Sequence, residues 1–269
     1  MKSVRHSLLC ALLVAAATPA FAADSSQWAI DIRAATRLIS ATPAKGASTL
    51  QAGVEFRMDP GWHTYWRYPG DSGVPPRFDF DASENLGSAK VLYPAPHAFT
   101  DESGTSIGYL EHVIFPVEVT PRDPNKPVHL KLTVNYAVCQ KLCVPAEANL
   151  ELIVGDKSDF DQRLGKAEAA VPKVVSPQQA GLTLHRVNSD AKPAVEVQVA
   201  GANKDTQIFV EGPTLEWALP IPKPVSGAEG RYSFALDGLP PGTDPKAPVD
   251  LTFTVVNGDK AIETKTHLD

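Results

Sequence analysis

Cysteine is scarce in this chain: three in 269 residues, at positions 10, 139 and 143. Methionine is scarcer, with Met1 and Met58 only. Copper sites built on soft sulfur ligands favour several thiolates and thioethers, so this supply gives copper binding little support. His63, His97, His112 and His129 are available, but none has a partner three or four residues away to fix two ligands, and closed zinc sites need four. We therefore expect no metal and no cofactor. There is no basic run, and the formal charge is −6, which argues against nucleic acid and anionic lipid as partners. The chain has no serine-nucleophile elbow, no phosphate-cradling glycine loop and no H-E-x-x-H, so acid–base chemistry on small molecules has no visible support. No apolar stretch reaches the roughly 20 residues that a membrane-spanning helix requires, and no membrane insertion is expected.

What is present begins with a secretory signal. Lys2 and Arg5 form a basic start, Leu8 to Ala17 an apolar run, and Ala20-Phe21-Ala22 a cleavage site, which marks residues 1–22 as a removable signal peptide. Cys10 leaves with it, and loss of Lys2 and Arg5 takes the balance from −6 to −8. The exported chain keeps one cysteine pair in an oxidising compartment, where disulfide chemistry belongs; the periplasm is the expected address. Short alternating runs then follow: Trp28–Ile39, Ser48–Met58, Arg77–Phe80, Ala89–Tyr93, His112–Val119, Val128–Val138 and Ala146–Val154, separated by turn residues. They predict a β-sandwich over residues 23–155. Residues 156–180 read as a short helix, Ser158 to Val171, and a linker. The strand pattern returns over 181–269 at Leu182–Val187, Ala194–Val199, Gln207–Glu211, Ala218–Ile221, Arg231–Leu236, Val249–Asn257 and Lys260–His267. The fold class is all-β: two immunoglobulin-like β-sandwich domains joined by a short helix and linker.

The pair Cys139-Gln140-Lys141-Leu142-Cys143 lies between two strand-like runs. Fully extended, its Cα atoms would lie about 13 Å apart, whereas a disulfide requires roughly 4.4–6.8 Å. Either the pair never bonds or the chain turns, and a hairpin with Gln140, Lys141 and Leu142 at its tip fits, setting Cys139 opposite Cys143. Pro145 cannot donate to a ladder, which places the second strand at an edge or starts it late. A bond closing so short a loop stabilises by only about 2 kcal/mol, a weak staple for a chain of this length. Redox exchange and a structural clasp both remain open on this spacing, and Lys141 is either a thiolate-favouring neighbour or a solvated turn residue.

The densest aromatic block is Gly61-Trp62-His63-Thr64-Tyr65-Trp66-Arg67-Tyr68. Trp62 and Trp66 read as core packing at a strand end, with Asp71-Ser72-Gly73 as a turn, or as a wall beside the cysteines or a docking surface for a protein. Pro94 to Ser106 reads as a long polar surface loop, or as a lid over the pair.

Gly61 to Arg67, Pro69 to Gly73, and Tyr136 followed by Cys139…Cys143-Val144-Pro145 resemble the periplasmic N-terminal domain of the thiol:disulfide interchange protein DsbD, above all its version in the ScsB-type suppressor-of-copper-sensitivity proteins. The resemblance runs from Trp28 to Val154, and 181–269 resembles the second immunoglobulin-like domain of the ScsB-type region. It implies a redox pair, Cys139 and Cys143, that takes electrons from a DsbD/ScsB-like membrane donor and passes them to thioredoxin-like periplasmic proteins, with Cys143 as the sulfur that faces the donor. The pathway would be cytochrome c biogenesis, disulfide isomerisation or copper tolerance. It also implies a cap over the pair, for which Phe99, Tyr109, Trp62, Trp66 and Tyr136 are the candidates. The chain departs from the family in its short spacer of three residues and in Glu102-Ser103, which stand ahead of Gly104 where the family's cap has adjacent aromatics. Family members continue into transmembrane and thioredoxin-like domains; this chain ends at Asp269, so its donor is expected to be a separate protein. The alternative is a non-catalytic binding module whose disulfide is a permanent clasp.

Overall fold

The computed structural model describes residues 23–70, 73–101, 104–187 and 193–269; the signal segment read at 1–22 lies outside them. The chain opens with β1 (Ala29–Ile30), β2 (Ala34–Ser40), β3 (Leu50–Met58), β4 (His63–Gly70), β5 (Arg77–Asp79) and β6 (Leu86–Val91). It goes on through β7 (His97–Asp101), β8 (Gly104–Leu110), β9 (His112–Pro121), β10 (Val128–Cys139) and β11 (Cys143–Val154). Helix α1 (Asp161–Ala169), β12 (Lys173–Val174) and the short α2 (Pro177–Ala180) follow. The remainder is β13 (Leu182–Val187), β14 (Ala194–Val199), β15 (Gln207–Glu211), β16 (Lys223–Pro224), β17 (Arg231–Ala235), β18 (Val249–Asn257) and β19 (Lys260–Leu268).

Among the described residues these strands form four sheets. The first has the order β1-β2-β3-β9-β6, and the second β11-β10-β4-β8-β7 with β5 added on β10. The third has the order β12-β19-β18-β15, the fourth β13-β14-β17-β16. Strand alternation explains the packing. On β10, Val128, Leu130, Leu132, Val134, Tyr136 and Val138 all turn inward, and on β3 so do Ala52, Val54, Phe56 and Met58. At their centre Phe115 meets Phe56, Phe78, Tyr93 and Tyr109 edge-on, with ring centres 5.2–5.5 Å apart. Burial of one such ring stabilises by roughly 1.5–3 kcal/mol. The result is an immunoglobulin-like sandwich, as the alternation predicts. The third and fourth sheets enclose a second core of Val195, Val197, Ile208, Val210, Leu251 and Phe253.

Several elements differ from the sequence reading. The expected strand Trp28–Ile39 is broken by a turn after Ile30. The aromatic block is a strand, β4. The expected loop Pro94 to Ser106 is largely the hairpin of β7 and β8, in register from His97↔Gly108 to Asp101↔Gly104; Glu102 and Ser103 lie outside the described residues. Ala218–Ile221 forms no strand, because Pro220 interrupts it and the next residue after Ile221 is again proline. The linker supplies β12, which runs parallel to β19.

Helix α1 covers the outer face of the first sheet. Leu164 inserts between Ile39 and Ile114, over Gly53, where an added Cβ would stand 2.6 Å from the leucine. The two sandwiches also share a packed boundary. Phe209 and Val256 of the third sheet join the first core, Trp66 stands 5.7 Å from Phe209, and the Tyr68 hydroxyl donates to Leu219 O at 2.7 Å. Arg67 bonds Glu211 at 2.7 Å and also Glu263. Burial alone would lower its pKa, but these two carboxylates raise it above its ordinary value.

Candidate functional site

The hairpin of β10 and β11 is in register to its end, with Cys139 directly opposite Cys143. Gln140, Lys141 and Leu142 make the tip, and the two cysteines are joined in a disulfide with Cα atoms 4.1 Å apart. Strand β11 is the sheet edge, which accommodates Pro145. The two sulfurs do not share one environment: Cys139 is 2% exposed, whereas Cys143 is open to solvent.

The buried side of the pair is organised by β4. His63 is the register partner of Cys139, so Tyr65, two residues on, projects from the same face of the sheet. Its hydroxyl donates to Cys139 Sγ at 2.7 Å and lies 3.3 Å from Cys143 Sγ. Tyr65 is itself 2% exposed and packs with Ala137 and Cys139. Among the described residues, His63 and Gly73 hold its ring. His63 meets it edge-on at 5.4 Å, and Gly73 lies so close that an added Cβ would stand 2.4 Å from Tyr65 Cε1. Phe99, carried by β7, stacks on His63 at 5.3 Å. The order outward from the disulfide is therefore Tyr65, His63, Phe99. Thr64 ties β4 to β10 by donating to Ala137 O at 3.0 Å.

The residues expected around the pair separate by strand parity, since a step of one residue turns a side chain to the opposite face. Phe99 lies on the disulfide face. Tyr136, next to Ala137, points inward, 5.0 Å edge-on from Phe56 with its hydroxyl 3.4 Å from Thr36 Oγ1. Trp66, next to Tyr65, points into the boundary with the second sandwich. Tyr109, next to Gly108, lies in the first core and donates to Pro94 O at 2.8 Å; burial pushes its phenol well up from its usual range. Trp62 is half-buried, with the Arg33 guanidinium 5.4 Å above its ring. Tyr65, His63 and Gly73 are site residues the sequence reading did not single out, although it offers the stretch that holds them as a wall beside the cysteines. The signal that could have found them is the parity of His63 and Tyr65 with Cys139, available once β4 is recognised as a strand.

The histidines considered as ligands are dispersed. His112 bonds Glu55 at 3.0 Å, and His129 bonds Glu151 at 3.1 Å. Among the described residues no helix is long and apolar enough to cross a membrane.

This arrangement defines a chemistry. A thiolate approaching from solvent can reach Cys143 Sγ, and the sulfur displaced is then Cys139. A thiolate formed in a buried place is disfavoured by lost hydration and favoured by a donated hydrogen bond. The Tyr65 hydroxyl is already within hydrogen-bond distance of that atom.

Residues 35–155 match the family described as "Thiol:disulfide interchange protein DsbD, N-terminal", somewhat under half of the 269 residues. The three stretches that carry the resemblance fall in that range. The crystal structure of the N-terminal periplasmic domain of ScsB from Proteus mirabilis superposes with a TM-score of 0.72 at 20% identity, covering 91% of this chain and 98% of that one. It is similar in fold across both sandwiches. No curated protein sequence matches the chain.

Proposed function

We propose, from the premise that residues 35–155 are of the DsbD N-terminal family, that the Cys139–Cys143 pair exchanges its disulfide with thiols of partner proteins in the periplasm. Residues 23–155 are the redox domain in this reading, and 181–269 a second sandwich. The partners the family implies are a membrane reductase as electron donor and thioredoxin-like proteins as acceptors. The observation that carries the reading is the asymmetry of the pair: one sulfur exposed, the other buried against a tyrosine hydroxyl.

In the reducing direction the donor's thiolate attacks Cys143 Sγ. The Cys139–Cys143 bond breaks, a mixed disulfide forms between the donor and Cys143, and the electron pair leaves on Cys139 Sγ, which accepts the Tyr65 hydrogen bond. The donor's second thiol then attacks the donor's own sulfur in that mixed disulfide and releases Cys143. The donor ends oxidised, with its own disulfide, and the chain ends with two thiols. Reduced, the chain runs the same steps in reverse against an oxidised acceptor: Cys143 attacks and Cys139 resolves.

Substitution Cys139→Ser should trap mixed disulfides through Cys143 in periplasmic extracts, visible as adducts on non-reducing gels that dithiothreitol removes. The double substitution Cys139→Ser/Cys143→Ser should show none. Absence of adducts from Cys139→Ser across several redox conditions would sink the proposal and leave the disulfide a clasp.

A further inference from the structure

A cleft of about 340 Å³ opens on the opposite side of the first sandwich, between α1, the start of β9 and Pro94. Pro94, Ile114, Ala167 and Ala170 give it apolar walls. Its charged lining is cationic, Arg163 and Lys166, with the His112 imidazole beside them. The nearby carboxylate, Glu55, has no exposed side-chain surface and already receives Arg37, Arg57, Arg163 and His112. One negative charge therefore stands against three guanidiniums, with Lys166 beyond them. Lys166 has no ion-pair partner among the described residues. The other nearby acids do not line the cleft. Asp161 accepts from Thr42 N, Glu111 accepts from Gly61 N, and Glu118 pairs with Lys90, while burial and repulsion from Glu118 raise the pKa of Glu168. In a chain of net charge −6 this is a local excess of positive charge beside an apolar hollow.

We infer that this cleft binds a small apolar molecule carrying one anionic group, its body against Ile114 and Ala170 and its charge toward Lys166 and Arg163. The volume lies in the range of small-molecule sites, which pair apolar walls with a few placed polar groups. The inference does not depend on the redox reading, because no cleft residue touches the disulfide.

The test is a fluorescence titration of the purified chain with 8-anilinonaphthalene-1-sulfonate, followed by displacement with decanoate and with the uncharged decanol. Saturable binding at one site is expected, displaced by decanoate and far less by decanol. Lys166→Glu should weaken it by about tenfold or more through charge reversal, and Lys166→Arg should restore it. Ala170→Trp should block it by filling the mouth; both positions are exposed, so neither variant threatens the fold. The Cys139→Ser/Cys143→Ser chain should bind unchanged. No saturable binding, binding indifferent to Lys166→Glu and Ala170→Trp, or equal displacement by decanol would each overturn the inference.

Discussion

The first sandwich buries a polar group on each of its two outer faces, and it treats them in opposite ways. On the first sheet the group is Glu55, a permanent charge. Burial alone would raise its pKa, but hydrogen bonds from His112 and Arg37 and the charges of Arg37 and Arg163 hold it at about 2. Arg37 is itself sandwiched, with Trp28 at 4.3 Å and Phe160 at 4.7 Å, and α1 closes the site. On the second sheet the group is a neutral disulfide, and among the described residues its surroundings include a hydroxyl, an imidazole and a phenyl ring. A fixed charge is matched by fixed countercharges. A sulfur that becomes charged only when its bond breaks is given a neutral donor, which makes little demand on the oxidised state and acts only on the reduced one.

The comparison can be broken most forcefully at Glu55. Glu55→Ala leaves the largely buried Arg37 and the half-buried Arg163 without this partner and should cost about 3 kcal/mol, read as a lower urea midpoint. Acid should remove much the same interaction. The folded pKa lies below the unfolded one, so the ion's contribution is full above about 4.5 and disappears as the pH falls through about 2. That loss is on the order of 3 kcal/mol, and denaturant midpoints measured between pH 6 and pH 2 should fall, with a smaller fall in Glu55→Gln. Next in size is Tyr65→Phe. Removing a hydrogen bond to a charged sulfur should cost about 1.5–3 kcal/mol in the transition to the thiolate, or roughly 10–100-fold in the rate of reduction by dithiothreitol. Its urea midpoint should hardly move; a large fall would mean the hydroxyl supports the fold rather than the sulfur. The smallest effect is expected from Phe99→Ala, which uncovers His63 and should raise the alkylation rate of reduced Cys139 severalfold with stability nearly unchanged.

The sequence displayed this molecule unevenly, for physical reasons. Strands β10 and β11 alternate cleanly because one face meets the core and the other meets water, so the hairpin and its facing cysteines could be read directly. Strand β4 did not alternate: His63 to Trp66 are all buried, one face under the disulfide and the other in the core, and a strand covered on both sides has no period-two signature. Strand β8 is obscured by a buried serine, Ser106, and by Gly108. Tyr65 was therefore visible as a letter in an aromatic block but not as a neighbour of Cys139. The family resemblance gave the pair its redox reading; only the register found what surrounds it. Gly73 escaped for a different reason, since its place against the Tyr65 ring depends on the course of the chain after β4 rather than on any local pattern.

Strand β4 has one more consequence. His63 and Tyr65 attend the disulfide, while Trp66, Arg67 and Tyr68 are gripped by the second sandwich, and the two sets are adjacent in sequence. There is no slack between them to act as a hinge. A chain joined in this way tumbles as one particle, so the sulfur cannot be offered on a swinging arm. It is delivered by rotation of the whole body, and the far sandwich sets the drag and the footprint within which any partner must fit.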